Sequence, residues 1–237
     1  MNESIISVKS LTKKYGNFIA LNNITLDFPK GKIIGLLGPN GSGKTTLIKV
    51  ITSLLNKYNG EVLVDGKKIG IETKKIVSYL PDRNVLPSKM KINEIIDYFS
   101  DFINDFDSDK ARKLLISLQI DLNRKFCELS KGMKEKVQLA LVLSRNAKVY
   151  IFDEPIAGVD PAARDVIFEL ILNSKKEDAT IIICTHLISE VETILDYAVF
   201  LKNGVVTLRN DVDKIRETSG KSLNEIFKEV YHYASIS

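Results

Sequence analysis

The chain has 237 residues and a net charge of +4, which is enough for one substantial α/β core with a smaller subdomain but not for several independent domains. Hydrophobic residues make up 44% and charged residues 27% of the sequence, and no apolar run approaches the length that crosses a bilayer, so we expect no membrane-spanning segment. The lysines are scattered and the two cysteines lie far apart, which argues against a nucleic-acid-binding patch, a disulfide and a zinc site.

The first third of the chain predicts short strands on both sides of a glycine-rich loop. The strand-like runs are IISVKSLT, FIALNNITLDF and KIIGLLG, with turns at residues 15–17 and 29–31. After the loop comes a helix-like run, TTLIKVITSLL, and then another hairpin-like strand, GEVLVDG.

A complete phosphate-binding motif, G-x-x-x-x-G-K-[ST], follows the third strand as GPNGSGKT. Its glycines are expected where the backbone wraps closely around phosphates with its N–H groups pointing inward. The helix adds the positive end of its dipole, Lys44 can reach the β- and γ-phosphates as a catalytic group, and the Thr45 hydroxyl can coordinate Mg²⁺. The predicted nucleotide-binding residues of this loop are Gly38, Pro39, Asn40, Gly41, Ser42, Gly43, Lys44, Thr45 and Thr46.

The remainder of the chain predicts a helical stretch, then alternating strands and helices, then a helical tail. Residues 92–118 have helical spacing of Ile, Phe and Leu, with no strand candidate. The strands KVYIFDE and TIIICT alternate with helices over 161–172 and 187–195 before the hairpin YAVFLKNGVVTL, which favours a largely parallel sheet. In the charged tail, 211–237, we expect short appended helices with an apolar face made of Leu223, Ile226, Phe227 and Val230.

Two adjacent acidic residues, Asp153 and Glu154, end the strand KVYIFDE. This strand would deliver both carboxylates to the carboxyl edge of the sheet, beside the phosphate-binding loop. Asp153 would hold Mg²⁺ directly or through water, and Glu154 would orient and polarise the water that attacks the γ-phosphate. The alternative is an ordinary strand end with helix-capping acids.

The segment LSKGM, residues 129–133, precedes a strong helix, with Ser130 as its N-cap and Gly132 permitting close approach to its first turn. Alone, this string predicts only a capped helix. With its position in the chain, it resembles the signature LSGGQ of the ATP-binding subunits of ABC transporters, and the resemblance spans nearly the whole sequence.

The resemblance implies an α/β fold, a P-loop NTPase core of the ABC ATPase type with an N-terminal antiparallel β subdomain and an inserted α-helical subdomain. In these terms the chain is one domain, 1–237. The ATP-binding core would comprise 1–86 and 146–210, the helical subdomain 87–145 would carry the signature, and 211–237 would form the helical tail.

The resemblance also implies roles for residues outside the loop. Ser130 and Gly132 would contact the γ-phosphate of ATP held by a second subunit, and Tyr15 would stack on adenine. His186 would contact the γ-phosphate and help hold the attacking water in line. Residues 158–160 resemble the loop that crosses the dimer interface. From the residues alone, Tyr15 also suits a turn and His186 a structural role. Asp160 and Pro161 also suit an ordinary helix start, with Asp as the N-cap and Pro at the first helical position.

The sequence departs from the family at two places. In YLPDRN, Asp82 stands where the family usually has glutamine. Its carboxylate can still take the metal, but its charge near the γ-phosphate should weaken ATP binding unless Mg²⁺ or a lysine offsets it; the alternative is a solvent-facing turn. In the signature, Lys131 replaces a glycine and Met133 replaces the glutamine.

These features predict an ATP-hydrolysing motor subunit with ATP and Mg²⁺ as its cofactors. Two such subunits, identical or related, would close around two ATP molecules and drive a separate integral-membrane permease. LSKGMKEK together with DEPIAGVDPAAR resembles the exporters of bacitracin and phenol-soluble modulins, which suggests export of a peptide, lipid or antibiotic.

The permease should dock near residues 82–90, where an apolar seat could be formed by Val85, Leu86, Pro87 and Met90. The N-terminus has no secretion-signal pattern. The expected location is therefore the cytoplasmic face of the plasma membrane, where the chain would be held through the membrane subunit.

Two other functions compete with this prediction. A soluble ABC ATPase acting on nucleic acid or ribosomes is disfavoured because the chain has no room for a long coiled coil, no cysteine pairs and only one phosphate-binding loop, so no nucleic-acid partner is expected. A catalytically idle subunit is disfavoured because Lys44, Asp153, Glu154 and His186 are all present.

Overall fold

The computed structural model describes residues 3–156, 161–174, 176 and 178–232. Its strands in chain order are β1 Ser4–Tyr15, β2 Phe18–Pro29, β3 Ile33–Leu37, β4 Asn59–Val64, β5 Lys67–Lys68, β6 Val77–Leu80, β7 Val149–Asp153, β8 Thr180–Thr185, β9 Tyr197–Lys202 and β10 Val205–Asp211. Its helices are α1 Lys44–Ile51, α2 Ile71–Lys74, α3 Ile92–Phe102, α4 Ser108–Ser117, α5 Lys131–Leu143, α6 Pro161–Ser174, α7 Ile188–Val191, α8 Val212–Ser219 and α9 Leu223–His232.

The N-terminal strands form a four-stranded antiparallel sheet in the order β2-β1-β4-β5. A two-residue turn joins β1 to β2, and Tyr15 and Phe18 pair across it. Gly16 in this turn has φ = 56°, a left-handed conformation that glycine adopts without steric cost. This sheet confirms the predicted antiparallel β subdomain.

The central sheet has six strands in the order β10-β9-β3-β8-β7-β6. Neighbouring strands are parallel except in the β9–β10 hairpin. Successive side chains of β8 alternate between its two faces: Ile181 and Ile183 lie in one hydrophobic core, and Ile182 and Cys184 in another. Because both faces are covered, β8 is buried along its whole length and reads as a continuous apolar run.

Helix α5 lies between two of the three hydrophobic cores. It packs against the central sheet with Leu139, Val142 and Leu143, and against α3 and α4 with Val137, Ala140 and Leu141. We call α3, α4 and α5 the three-helix region, because they share a core of their own. The remaining core joins α1, the antiparallel sheet and the other face of the central sheet.

Two predicted helices differ from those observed. The stretch 92–118 contains two helices, α3 and α4, because the chain leaves helical geometry at Ile103 and Asp107 then accepts the N–H of Lys110 to start α4. The helix predicted over 187–195 ends already at Val191 as α7. It stops because Asp196 exchanges two hydrogen bonds with the backbone of Ile33, which fixes the chain for entry into β9.

The predicted tail helices are present as α8 and α9, and the predicted apolar face of α9 packs onto the core of the central sheet. The short elements β5 and α2 were not predicted; they comprise only two and four residues. Within the described ranges, none of the helices combines the length and the apolar character needed to cross a bilayer.

Candidate nucleotide-binding site

The phosphate-binding loop joins β3 to α1 at the carboxyl edge of the central sheet. Helix α1 starts at Lys44, directly after Gly43, so its first N–H groups and the positive end of its dipole face the loop. The sequence therefore folds locally as predicted, although α1 is shorter than the run TTLIKVITSLL because it ends at Ile51.

Two of the three loop glycines are required by close packing, and the third by its backbone conformation. A Cβ atom at Gly38 would lie 2.4 Å from the carbonyl oxygen of Leu201, and one at Gly43 would lie 2.7 Å from that of Ala20. These two glycines are therefore needed for packing against the protein's own backbone. Gly41 has open space around it, and its φ of +80° is what favours glycine there.

The Lys44 ammonium group points back into the loop. It donates to the carbonyl oxygens of Gly38 at 2.7 Å and Pro39 at 3.1 Å, and it lies 3.8 Å from Glu154 Oε1. Its side chain is buried. A buried cation inside a loop that leads into a helix N-terminus makes this point attractive to a polyphosphate.

Asp153 and Thr45 face each other across the sheet edge. The Thr45 hydroxyl donates to Asp153 Oδ1 at 3.4 Å, and the Tyr79 hydroxyl lies 3.5 Å from Asp153 Oδ2. Burial raises the pKa of the Asp153 carboxyl, while hydrogen bonds from Cys184 and Thr45 oppose this shift. Burial and the Asp153 charge also raise the pKa of Tyr79, which keeps its hydroxyl protonated as a donor.

The Glu154 carboxylate is fixed on both of its oxygens. The Thr185 hydroxyl donates to Oε2 at 3.0 Å, and His186 Nδ1 lies 2.9 Å from Oε1. The Glu154 backbone has φ = 53°, and its N–H donates to the carbonyl oxygen of Cys184 at 2.8 Å. A left-handed conformation is uncommon for glutamate and is typical of residues whose position serves a site.

A cavity of about 360 Å³ lies behind these carboxylates, between the sheet edge and α5. Its walls carry charges of both signs. The lining residues are Asn40, Leu80, Pro81, Asp82, Lys131, Glu135, Gln138, Asp153, Glu154, Pro155 and His186. We call this space the catalytic cavity. Burial raises the pKa of Glu135, while the charge of Lys131, 3.9 Å away, opposes the shift.

A second pocket of about 270 Å³ lies on the other side of the phosphate-binding loop. It shares Asn40, Asp82 and Glu154 with the catalytic cavity. Its outer wall is formed by two exposed aromatic rings, Tyr15 at 46% and Phe18 at 64% exposure. Exposed rings beside a phosphate-binding loop are suited to stacking on a base.

Two residues of the signature, Ser130 and Gly132, lie apart from these pockets. Ser130 caps α5 by accepting the N–H of Met133 at 3.3 Å. Apart from its chain neighbours and the backbone of α5, no atom of the described residues lies within 4 Å of the position that a Cβ of Gly132 would occupy. Neither residue lines the catalytic cavity or the second pocket, the one beside Tyr15 and Phe18, whereas Lys131 lines the catalytic cavity. The predicted interface loop, 158–160, lies outside the described residues.

The structure thus brings together most of the residues predicted from sequence. These are Tyr15, the phosphate-binding loop, Asp82, Asp153, Glu154 and His186. Four further residues were missed: Phe18, Glu135, Gln138 and Thr185. The hairpin pairing with Tyr15 could have indicated Phe18, and a polar residue inside the apolar run VQLALVL could have indicated Gln138.

Fewer apolar side chains are exposed at residues 82–90 than the predicted permease-docking site requires. Leu86 and Met90 pack against the core of the three-helix region, because they follow the chain into α3. Val85, at 70% exposure, and Pro87 are the apolar residues of this segment that face solvent.

The residues present fit both ATP and Mg²⁺. The Ser42 hydroxyl is buried and has no hydrogen-bond partner within the described residues, so a phosphate oxygen would supply one. The Thr45 hydroxyl with the carboxylates of Asp82 and Asp153 is an all-oxygen donor set of the kind Mg²⁺ prefers. The described residues contain no metal site built from three or more His, Cys, Asp or Glu side chains.

Comparisons with known proteins agree with this geometry. The ABC transporter family model matches residues 21–157. The lantibiotic transport ATP-binding protein SrtF of Streptococcus pyogenes is 29% identical over 224 residues, covering 94% of this chain and 96% of SrtF. The uncharacterized ABC transporter ATP-binding protein MJ1023 of Methanocaldococcus jannaschii is 34% identical, covering 84% and 74%. A solved ATP-binding subunit of an ABC transporter superposes with a TM-score of 0.85 at 29% identity, covering 95% and 99%.

Proposed function

The chain belongs to the ABC transporter family as an ATP-binding, ATP-hydrolysing subunit, and we propose that it is the motor of an exporter for a peptide, lipid or antibiotic. The observation that carries the motor assignment is the Glu154 carboxylate, which Thr185 and His186 hold on both oxygens beside the phosphate-binding loop. Export is supported by the resemblance to SrtF, a lantibiotic transport protein, over nearly the full length of both chains.

In this proposal Glu154 accepts a hydrogen bond from the attacking water and polarises it. Thr185 and His186 keep the carboxylate from rotating, so the water is held in one orientation. Lys44 exchanges its loop carbonyl partners for the oxygens of the β- and γ-phosphates. Mg²⁺, when bound, neutralises phosphate charge, and Thr45, Asp82 and Asp153 are the residues that would hold it.

Tyr15 and Phe18 supply the base-binding wall of the same site. Their rings are exposed and line the pocket that also contains the phosphate-binding loop. The ammonium group of Lys13 lies 4.8 Å from the centre of the Tyr15 ring and steadies it by a cation–π contact.

Each site is completed by a second subunit of the same or a related sequence. Ser130 and Gly132 lie outside this chain's own pockets, and the open space around Gly132 permits close approach by another molecule. The N-terminus of α5 would then contribute its N–H groups to the γ-phosphate held by the partner. Residues 158–160 would cross the same interface.

An integral-membrane permease is the second partner, which places the chain at the cytoplasmic face of the plasma membrane. We expect the permease to contact Val85 and Pro87 and also to dock into a cleft of about 540 Å³ between α2 and the end of α3. Ile71 and Phe102 flank this cleft with exposed apolar side chains. It lies where the core, 1–86 and 146–210, meets the proposed helical subdomain, 87–145, so an apolar helix from the permease would bridge both.

Replacing Glu154 by glutamine tests the proposed mechanism. We expect the variant to bind ATP with unchanged affinity but to lose at least a hundredfold in turnover, because the carboxylate can no longer polarise water. ATP and Mg²⁺ should then trap a dimer on a sizing column, whereas Lys44→Ala should remain monomeric. A Glu154→Gln variant that still hydrolyses ATP at the wild-type rate would overturn the role of Glu154.

A further inference from the structure

Gln138 is a polar residue in a position that otherwise requires an apolar one. It lies in α5 within the buried run from Val137 to Leu143, and it is only 8% exposed. Its side-chain oxygen is buried and has no hydrogen-bond partner within the described residues. An unsatisfied buried acceptor destabilises a fold, so its presence calls for a reason other than packing.

The side chain of Gln138 lines the catalytic cavity, together with Glu154 and His186. Glu135, one helical turn earlier on the same face of α5, lines the cavity as well, and one of its carboxylate oxygens is buried without a hydrogen-bond partner in the described part of the chain. The cavity is polar, and its volume is about that of ten water molecules in the liquid. The last torsion of a glutamine side chain is broad, so its oxygen and nitrogen can exchange places at little cost.

We propose that Gln138 is a positioning residue that orients the attacking water in the catalytic cavity of its own chain. A water that donates one O–H to Glu154 needs an acceptor for its second O–H. The carboxamide oxygen of Gln138 accepts it, which turns the lone pairs of the water toward the γ-phosphate. The inference rests on the proposed role of Glu154 as the group that polarises this water.

The chemistry of the side chain suits this role. The walls of the cavity already carry four carboxyl groups, those of Asp82, Glu135, Asp153 and Glu154. A further carboxylate beside the water would repel the phosphate, whereas an amide accepts a hydrogen bond without adding charge. Because Gln138 belongs to α5, the three-helix region contributes directly to hydrolysis at the site of its own chain.

The test is Gln138→Leu in the full chain, with Gln138→Met as a second variant of similar volume. We expect the steady-state kcat for ATP hydrolysis to fall about three- to tenfold, the cost of losing one orienting hydrogen bond. KM and the Kd for ATP should stay within about twofold, because Gln138 does not touch the phosphates in this scheme. The melting temperature should stay the same or rise, since an unsatisfied buried polar group is removed.

Ser144→Ala is the matched control, at the residue that caps the C-terminus of α5. The Ser144 hydroxyl is buried and donates to the carbonyl oxygen of Ala140 at 2.6 Å, away from the catalytic cavity. We expect it to lower the melting temperature and leave kcat unchanged. The inference is overturned if both Gln138 variants keep kcat within twofold of wild type, or if their kcat falls only together with their melting temperature. If the wild type shows no hydrolysis that depends on Glu154, the proposed mechanism fails instead.

Discussion

The two ends of α5 meet very different surroundings. Beyond its C-terminus, the Arg145 guanidinium donates to both carboxylate oxygens of Asp105 and to the carbonyl oxygens of Lys74, Lys75 and Val77. In its N-terminal half and middle, Glu135 and Gln138 face the catalytic cavity, and each has a buried side-chain oxygen without a partner among the described residues. One end is held by many hydrogen bonds, and the other is left incompletely bonded.

This difference indicates which end of α5 contributes to stability and which contributes to catalysis. A buried polar group that is fully paired fixes the fold, and a buried polar group that is unpaired costs stability and persists where a reaction uses it. Changes at the Arg145 end should therefore lower stability and leave the chemistry intact. Changes at the cavity end should slow the chemistry and leave stability intact or improved.

The largest effect is expected for Arg145→Met. This change removes the guanidinium from a largely buried ion pair with Asp105 and strips the partners from three carbonyl groups. Breaking one partner of a buried pair costs about 3–5 kcal/mol in the free energy of unfolding, measurable by urea denaturation. Arg124→Met is the matched control, because the Arg124 guanidinium donates to the backbone carbonyl oxygen of Glu128 in an exposed contact. Equal losses from the two variants would contradict the anchoring role of Arg145.

Thr185→Val tests a residue that makes one hydrogen bond within the catalytic site and one that stabilises the fold. The Thr185 hydroxyl donates to Glu154 and accepts the N–H of Leu187 at 3.0 Å, and its side chain is fully buried. We expect kcat to fall about tenfold and stability to fall by about 1–2 kcal/mol, because one catalytic and one structural hydrogen bond are lost. Thr185→Ser keeps the hydroxyl and should restore most of the activity. Unchanged kcat in the valine variant would show that Glu154 does not need this donor.

Asp82→Gln concerns an exposed residue that lines both pockets of the site. Removing its charge from the space near the γ-phosphate should keep the affinity for ATP or raise it by about two- to fivefold. Stability should not change, because the side chain is exposed. Isothermal titration calorimetry with ATP and Mg²⁺ measures both the sign and the size of the change in affinity. A large loss of affinity would contradict the expected repulsion between the Asp82 carboxylate and the γ-phosphate.

The parts of the site that the sequence predicted are those encoded by contiguous residues. The phosphate-binding loop is a single motif, and Asp153 and Glu154 follow one apolar strand. Thr185 was missed because its partner, Glu154, is 31 positions away and the two meet only when β7 and β8 pair.

The anchoring role of Arg145 was equally hidden. An arginine after a helix normally predicts a solvated surface residue. Its partners here come from two remote segments, residues 74–77 and Asp105, and only the packing of α5 between two cores brings them together. The fold class was predictable because strand and helix alternation is local, whereas the end of α7 depended on the contact between Asp196 and Ile33.

The smallest effect is expected for Glu135→Gln, and its dependence on pH gives the finest test of the cavity end. Burial raises the pKa of Glu135 in the folded state, so the folded protein binds this proton more tightly than the unfolded chain does. Stability is therefore lost as the pH rises from the unfolded pKa, about 4.3, through the raised folded pKa, and it stays lost above it. The variant should be more stable than the wild type at pH 7, and the difference should shrink as the pH falls to 4. Urea denaturation at both pH values, with exposed Glu217→Gln as the control, measures this difference. A loss of stability at pH 7 would show that the Glu135 carboxylate stabilises the fold, as the groups around Arg145 do.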